Sequence, residues 1–130
     1  MDEIRILYIE DEPGNRMLVR RVLEAEGFSV VEATDGRAGL EMAAKIHQEL
    51  DLILLDINLP EMDGYDLAKK FRDMHGLQTV PILAVTANVM HGDRERTIEA
   101  GCDGYIQKPI DVDLLPDQVR AAMRKNKKQT

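Results

Sequence analysis

Short apolar runs alternate with longer amphipathic stretches along this chain. The apolar runs predict strands at Ile4–Ile9, Ser29–Ala33, Asp51–Asp56, Val80–Thr86 and Asp103–Gln107. The stretches between them have helical periodicity and predict helices at Pro13–Glu26, Arg37–His47, Tyr65–Met74, Val89–Ala100 and Asp113–Lys125. Because strands alternate with helices and the runs at 53–55 and 82–85 are wholly apolar, the pattern predicts a parallel sheet buried on both faces. Right-handed crossovers then favour a doubly wound α/β fold.

The first helix has a wide apolar stripe with arginines opposite. Leu18, Val22 and Ala25 form the centre of this stripe. Val19 and Leu23 widen it. The stripe predicts which side of the helix faces the core.

Glycines and prolines mark the expected helix ends. Pro13 suits the first turn of the first helix. Glycines follow three of the helical stretches, at Gly27, Gly76 and Gly101. Pro116 falls inside the last helical pattern, and proline is tolerated there only in a first turn. We therefore expect this helix to begin late, near Asp113, or to open with an irregular turn.

Composition narrows the class of protein. A chain of 130 residues with 44% hydrophobic and 32% charged residues fits one globular domain, expected over residues 1–124 with a short basic tail at 125–130. Cys102 is the single cysteine, which excludes an intramolecular disulfide and favours a reducing compartment. No apolar run approaches the ~20 residues of a membrane span, so a cytoplasmic location is expected. The net charge of −7 argues against non-specific binding to nucleic acid.

Polar residues follow the predicted strands at one edge of the sheet. Glu10 and Asp11 come after the first strand, and Asp56 ends the third. Thr86 ends the fourth strand and Lys108 follows the fifth. Ligands of such folds bind beyond the carboxyl ends of the strands. Three carboxylates packed together need a cation, and oxygen ligands without His or Cys favour a hard ion such as Mg²⁺. A carboxylate in this setting can attack a phosphoryl group to form an acyl phosphate.

The chain resembles the receiver domains of two-component response regulators, from about Ile4 to Met123. The matching motifs are Glu10-Asp11, Asp56 with Asn58-Leu59-Pro60, Met62-Asp63-Gly64, Thr86-Ala87 and Lys108-Pro109. Each motif alone is weak, whereas together they form a specific signature. The resemblance implies a flavodoxin-like receiver fold with five helices and a five-stranded parallel sheet in the order 2-1-3-4-5.

The resemblance also implies a metal site around a phosphorylated residue. Asp56 would accept the phosphoryl group. Mg²⁺, or Mn²⁺, would be bound by Asp11, Asp56 and the backbone carbonyl of Asn58. Glu10 would act through a metal-bound water.

Further residues would sense the phosphoryl group. Lys108 would pair with its oxygens, and Thr86 would swing its hydroxyl onto it. Tyr105 would be the aromatic switch residue that follows Thr86 inward, and Ala87 would leave the phosphate reachable. The Lys108–Pro109 peptide bond would be cis.

The main hypothesis is a single-domain response regulator, expected to be monomeric, that is phosphorylated by a sensor histidine kinase or a histidine phosphotransfer protein. Phosphorylation would change the surface formed by the last two helices and the fifth strand. Because nothing follows Thr130, the output is expected to be a contact with a downstream protein, or onward phosphotransfer, rather than DNA binding. On this hypothesis the chain is not a turnover enzyme and does not bind a membrane.

Two alternatives remain open at this point. A receiver domain excised from a hybrid histidine kinase fits the same residues equally well. A small phosphatase of the haloacid-dehalogenase type would use Asp56 as its nucleophile, but such enzymes place a second Asp two residues later, where this chain has Asn58.

The histidines, His47, His75 and His91, lack ligand partners at metal-binding spacing and are expected on the surface.

Overall fold

The computed structural model describes residues 3–87 and 94–128. In these ranges the strands are β1 (Arg5–Ile9), β2 (Ser29–Ala33), β3 (Leu52–Asp56), β4 (Ile82–Thr86) and β5 (Gly104–Gln107). The helices are α1 (Pro13–Ala25), α2 (Gly36–Ile46), α3 (Gly64–Asp73), α4 (Arg94–Glu99) and α5 (Leu115–Lys128). The predicted alternation is confirmed, although residues 89–93 of the expected fourth helix lie outside the described residues.

The strands form one parallel sheet in the order β2-β1-β3-β4-β5. This confirms the doubly wound fold and the predicted strand order. The direction of winding reverses between β1 and β3, which are hydrogen-bonded neighbours. The carboxyl ends of these two strands therefore border the crevice in which ligands bind in such sheets.

The core consists of two apolar layers, one on each face of the sheet. In β1, Ile6 and Tyr8 face the layer that α1 and α5 cover, while Leu7 and Ile9 face the layer beneath α2 and α3. All residues of β3 and β4 are buried, because successive side chains alternate between two covered faces. This explains why both strands are wholly apolar until their last residue. Across the described ranges, no helix has the length and apolar character needed to cross a membrane.

Helix α1 packs on a different part of its stripe from the one the sequence predicts. The buried residues are Val19 and Leu23, which pack in the layer between the sheet and α5. Leu18, at the expected centre, is 49% exposed, and Ala25 is also exposed. The helix is thus rotated about its axis relative to the prediction, which leaves Leu18 on the surface.

The helix ends follow the predicted signals. Gly27, Gly76 and Gly101 all have positive φ angles, a conformation that glycine adopts without strain. Helix α5 begins at Leu115, after a turn in which the amides of Leu114 and Leu115 donate to the carbonyl of Asp111. Pro116 is therefore the second residue of the helix, as the late start requires. The helix continues to Lys128, past residue 125, where the basic tail is expected.

Of the two histidines that the structure describes, one lies on the surface as predicted and the other is half-buried. His75 is exposed, whereas His47 is half-buried, with its ring centre 5.8 Å from that of His75. His91 lies outside the described residues.

Arg72 ties three segments together at the end of the sheet where β4 and β5 begin. Its guanidinium donates to the carbonyls of Leu77 and Val80, in the connection from α3 to β4, at 2.9 and 2.7 Å. It also donates to the carbonyl of Gly101 at 2.7 Å and pairs with Asp103 at 2.7 Å. The end of α3 is thus joined through one side chain to the corner between α4 and β5.

Candidate functional site

The carboxyl ends of β1 and β3 bring three acidic side chains together. Glu10 and Asp11 follow β1, and Asp56 is the last residue of β3. One carboxylate oxygen from each lies within 4.8 Å of the others. Glu10 and Asp56 are each 2% exposed, whereas Asp11 is exposed to solvent. The predicted cluster is therefore present, and it opens to solvent on the Asp11 side.

Two donors hold the carboxylate of Asp56. The ammonium of Lys108 lies 2.9 Å from Oδ1, and the backbone amide of Asn58 donates to the same oxygen at 2.9 Å. Lys108 lies in the segment after β5. In the sheet, β4 separates β5 from β3, the strand that carries Asp56. This ion pair offsets one of the negative charges of the acidic cluster.

The loop after Asp56 is fixed by its contact with the start of α3. The amide of Gly64 donates to the carbonyl of Ile57 at 3.2 Å. A Cβ atom at Gly64 would clash with the backbone of Ile57, so the approach requires glycine. Asp63 caps α3 by accepting from the amide of Tyr65 at 2.8 Å. The Asp63-Gly64 motif therefore holds the loop that carries Asn58.

Glu10 has a hydrogen-bond donor on each carboxylate oxygen. The Tyr8 hydroxyl donates to Oε1 at 3.3 Å, and the amide of Glu12 donates to Oε2 at 3.1 Å. Burial, with the neighbouring Asp56 carboxylate, raises the pKa of Glu10 to about 7, against the opposing effect of the Glu12 amide. Burial and the adjacent Glu10 also raise the pKa of Tyr8 far above its usual range. Tyr8 therefore remains a neutral donor.

Residues that the sequence prediction missed fix the segment after β1. The guanidinium of Arg16 donates to the backbone carbonyls of Glu10 and Asp11 at 3.0 and 2.9 Å. Glu12 caps α1 by accepting from the amides of Gly14 and Asn15, which lowers the pKa of its own carboxyl group. Glutamate is not a preferred N-cap residue, so this role has no strong sequence signal.

The other predicted residues surround the cluster at different depths. Thr86 is fully buried at the end of β4, and Tyr105 on β5 is 39% exposed with its ring outside the core. The Lys108–Pro109 peptide bond is cis, as the resemblance implies. Ala87 is exposed and lines, with Lys108, a cavity of about 430 Å³ that borders Glu10.

The donor set suits a hard divalent cation. Glu10, Asp11 and Asp56 offer only carboxylate oxygens, and among the described residues they are the one group of three acidic, His or Cys side chains close enough to share an ion. Mg²⁺ prefers oxygen ligands and retains several waters, which fits a cluster with one open side. The residues therefore fit the ion that the sequence predicts.

The sheet order, the acidic cluster and the lysine after β5 are those of a receiver-type signalling domain. The family model of the response regulator receiver domain matches residues 6–120, and the chain belongs to this family. It functions in two-component signalling, and members of the family are signalling proteins rather than enzymes that turn over an external substrate.

Among proteins of known role, the chain is 37% identical to the polar-differentiation response regulator DivK of Brucella ovis, over 89% of this chain and 93% of that protein. Its fold matches the chemotaxis response regulator CheY4 of Vibrio cholerae with a TM-score of 0.87 and 26% identity, covering 93% of this chain and 99% of that one. A receiver domain of a sensor histidine kinase from Pseudomonas aeruginosa, with magnesium coordinated in its active-site cleft, is 31% identical. Its TM-score is 0.80, and the match covers 94% of this chain and 98% of that one.

Proposed function

We propose that the protein is a phospho-acceptor response regulator in which Asp56 receives a phosphoryl group from a phosphohistidine partner in a Mg²⁺-dependent reaction. The observation that carries the proposal is the setting of Asp56. Its carboxylate is almost fully buried, is paired with Lys108 and shares a cluster with two further acids. A carboxylate held in this way is an oriented nucleophile next to a fixed positive charge.

The cation would be held by Asp11, Asp56 and the backbone carbonyl of Asn58, with Glu10 acting through a bound water. When bound, it would offset the charge that builds up on the phosphoryl oxygens. Asp56 attacks phosphorus, and the new P–O bond forms as the P–N bond to the histidine breaks. The electron pair of the broken bond stays on the ring nitrogen of the histidine, which takes up a proton from solvent to give neutral imidazole. Lys108 stays close enough to pair with a phosphoryl oxygen.

The phosphorylated state would be sensed by Thr86 and Tyr105. The Thr86 hydroxyl would turn towards the phosphoryl group, and Tyr105 would move inward into the space that Thr86 leaves. This would alter the surface formed by α4, β5 and α5, to which a downstream protein would bind. The exposure of Tyr105 supports this proposal, because a side chain that is 39% exposed still has surface that an inward movement would bury.

A groove beside the site fits a partner that delivers the phosphoryl group. It lies between α1 and the segment after β5, and its apolar wall includes Leu18, Pro109 and Ile110. Leu18 is 49% exposed, and Pro109 is also exposed. Apolar side chains next to a buried nucleophile support docking of the helical surface of a histidine kinase or histidine phosphotransfer protein.

The phosphatase alternative has no support beyond Asp56 itself. Its second acid would stand at position 58, where the chain has an exposed Asn whose backbone amide binds Asp56. Sustained hydrolysis of a simple phosphomonoester would be needed to revive that alternative.

The test is to incubate the full chain with acetyl phosphate or beryllofluoride, with and without Mg²⁺. We expect a mass gain of one phosphoryl group, or the corresponding spectral change, only when Mg²⁺ is present. Asp56→Asn should abolish it, and Asp66→Asn, which changes an exposed carboxylate on α3, should leave it intact. The proposal fails if the unaltered chain gives no adduct or if Asp56→Asn still forms one.

A further inference from the structure

Tyr8 places a polar group in an apolar layer of the core, close to the acidic cluster. Its side chain is fully buried and packs in the layer between the sheet and helices α1 and α5. A buried hydroxyl in such surroundings is costly unless it has a partner. The partner is Oε1 of Glu10, 3.3 Å away.

The backbone explains why Tyr8 reaches this carboxylate. Residues two apart on a strand project from the same face, so the side chains of Tyr8 and Glu10 leave the chain on one side. Tyr8 is inside β1 and Glu10 is the first residue after it. The phenol ring thus occupies the core, and its hydroxyl lies beside the carboxylate at the rim.

The two donors on Glu10 together fix the plane of its carboxylate. Tyr8 binds Oε1, and the amide of Glu12 binds the other oxygen, Oε2. A carboxylate with only one donor can rotate about its terminal bond, whereas one with a donor on each oxygen has a defined orientation. The side chain is 2% exposed, so water cannot easily replace a lost donor.

We propose that Tyr8 is a positioning residue for the metal centre, whose hydroxyl holds Glu10 in the orientation from which that carboxylate binds the water of a divalent cation. The inference rests on the proposed function, because it requires the cluster of Glu10, Asp11 and Asp56 to bind a cation. Groups that orient the ligands of a metal contribute measurably to metal affinity.

Tyr8→Phe separates this role from packing, because it keeps the ring and removes only the hydroxyl. The full chain, stripped of divalent ions with EDTA, is titrated with Mg²⁺ by calorimetry. We expect Tyr8→Phe to weaken Mg²⁺ binding by about 2- to 10-fold, the equivalent of one hydrogen bond. Tyr65→Phe is the matched control, since it removes a hydroxyl from a ring buried in the opposite layer and should leave the affinity unchanged.

A double-variant cycle shows whether Tyr8 acts through Glu10. In a Glu10→Gln background, adding Tyr8→Phe should change the Mg²⁺ affinity by less than about twofold, since the carboxylate to be oriented is gone. In the unaltered chain, Mg²⁺ should shift the ¹³C resonance of the hydroxyl-bearing ring carbon of Tyr8 but not that of Tyr65. This second measurement needs no variant, so the inference stays testable even if Tyr8→Phe folds poorly.

The outcomes separate the two proposals. The role of Tyr8 is overturned if Tyr8→Phe binds Mg²⁺ as tightly as the unaltered chain or more tightly. It is also overturned if Tyr8→Phe lowers the Mg²⁺ affinity by the same factor with Glu10→Gln present as without it. Either result leaves the metal site intact. Failure of the unaltered chain to bind Mg²⁺ overturns the metal site and this inference with it.

Discussion

The backbone amide of Lys108 donates a hydrogen bond to the carbonyl of Thr86 at 2.9 Å. Thr86 ends β4 and Lys108 follows β5, so the bond joins the two strands where both reach the acidic cluster. Because the bond uses backbone atoms only, either side chain can be changed without moving the other residue. The hydroxyl of Thr86 and the ammonium of Lys108 can therefore be tested separately.

Thr86→Val keeps the shape of the side chain and removes its hydroxyl. Asp56 should still form its beryllofluoride adduct with Mg²⁺, because Lys108 and the acids are unchanged. The response of Tyr105 should be lost, since no hydroxyl turns towards the adduct. Ring resonances of Tyr105 measured with and without beryllofluoride check this, with Thr86→Ser as the variant that retains the response. A full Tyr105 response in Thr86→Val would show that the two residues are not linked.

Leu18→Glu tests the proposed docking groove. The charge should reduce phosphotransfer from a phosphorylated histidine kinase at least about tenfold, since a buried apolar contact is lost and a charge would be desolvated. Phosphorylation by phosphoramidate should be unchanged, because that small donor needs no docking surface. Ile98→Glu, at another exposed apolar residue, on α4, is the control and should leave both rates unaltered. Equal loss with both donors would mean that the site itself was damaged.

Much of this fold follows from local sequence patterns. The strands β3 and β4 are apolar up to their last residues, Asp56 and Thr86, so the hydrophobic pattern alone places both residues at strand ends. Chain topology then brings Lys108 to Asp56, a contact between residues 52 positions apart that no local pattern shows.

The features that the sequence does not predict depend on how elements sit against each other. The rotation of α1, which buries Val19 and exposes Leu18, is set by packing against the sheet and α5. The link from Arg16 to the carbonyls of Glu10 and Asp11 depends on that same placement. Tyr8 lies in an otherwise apolar strand pattern, where its hydroxyl gives no periodic signal.

The raised pKa of Glu10 predicts a pH-dependent stability in the absence of divalent ions. Its pKa rises from 4.5 to about 7, so the folded state binds this proton more tightly than the unfolded state. That contribution is fully present below about pH 4.5 and is lost as the pH rises through about 7. Glu10→Gln should therefore gain stability relative to the unaltered chain between about pH 5 and pH 8, on the order of 1–2 kcal/mol.

Urea unfolding in EDTA at about pH 5 and about pH 8 measures the difference in stability between Glu10→Gln and the unaltered chain. Glu41→Gln, which changes an exposed carboxylate on α2, should show no such gain. If Glu10→Gln changed the free energy of unfolding by the same amount at both pH values, the raised pKa of Glu10 would be contradicted.

Arg72→Met should lower the free energy of unfolding more than replacement of a polar side chain usually does. The Arg72 side chain is 22% exposed, and its loss removes the cation that pairs with Asp103 and the side-chain donor to the carbonyls of Val80 and Gly101. We expect a loss of about 2–4 kcal/mol in the free energy of unfolding. Denaturant unfolding measures it, and Arg37→Met, whose side chain is 88% exposed, should cause no measurable change.

Pro116→Ala tests where α5 begins. Since Pro116 is the second residue of the helix, replacing it should change stability by less than about 1 kcal/mol. Ala121→Pro, at an exposed position in the helix interior, should cost about 3 kcal/mol or more. Thermal unfolding of both variants measures these changes in stability. If Pro116→Ala were strongly stabilising, or if the two substitutions changed stability alike, the start of α5 at Leu115 would be wrong.

The hydrogen bonds from Arg16 have a thermodynamic consequence. They join α1, the helix that carries Leu18, to the backbone of Glu10 and Asp11 at the cation site. If a partner bound to α1 changes the affinity for Mg²⁺ by some factor, Mg²⁺ must change the affinity for that partner by the same factor. The free Mg²⁺ concentration would then help to set how tightly a partner binds before any phosphoryl group is transferred.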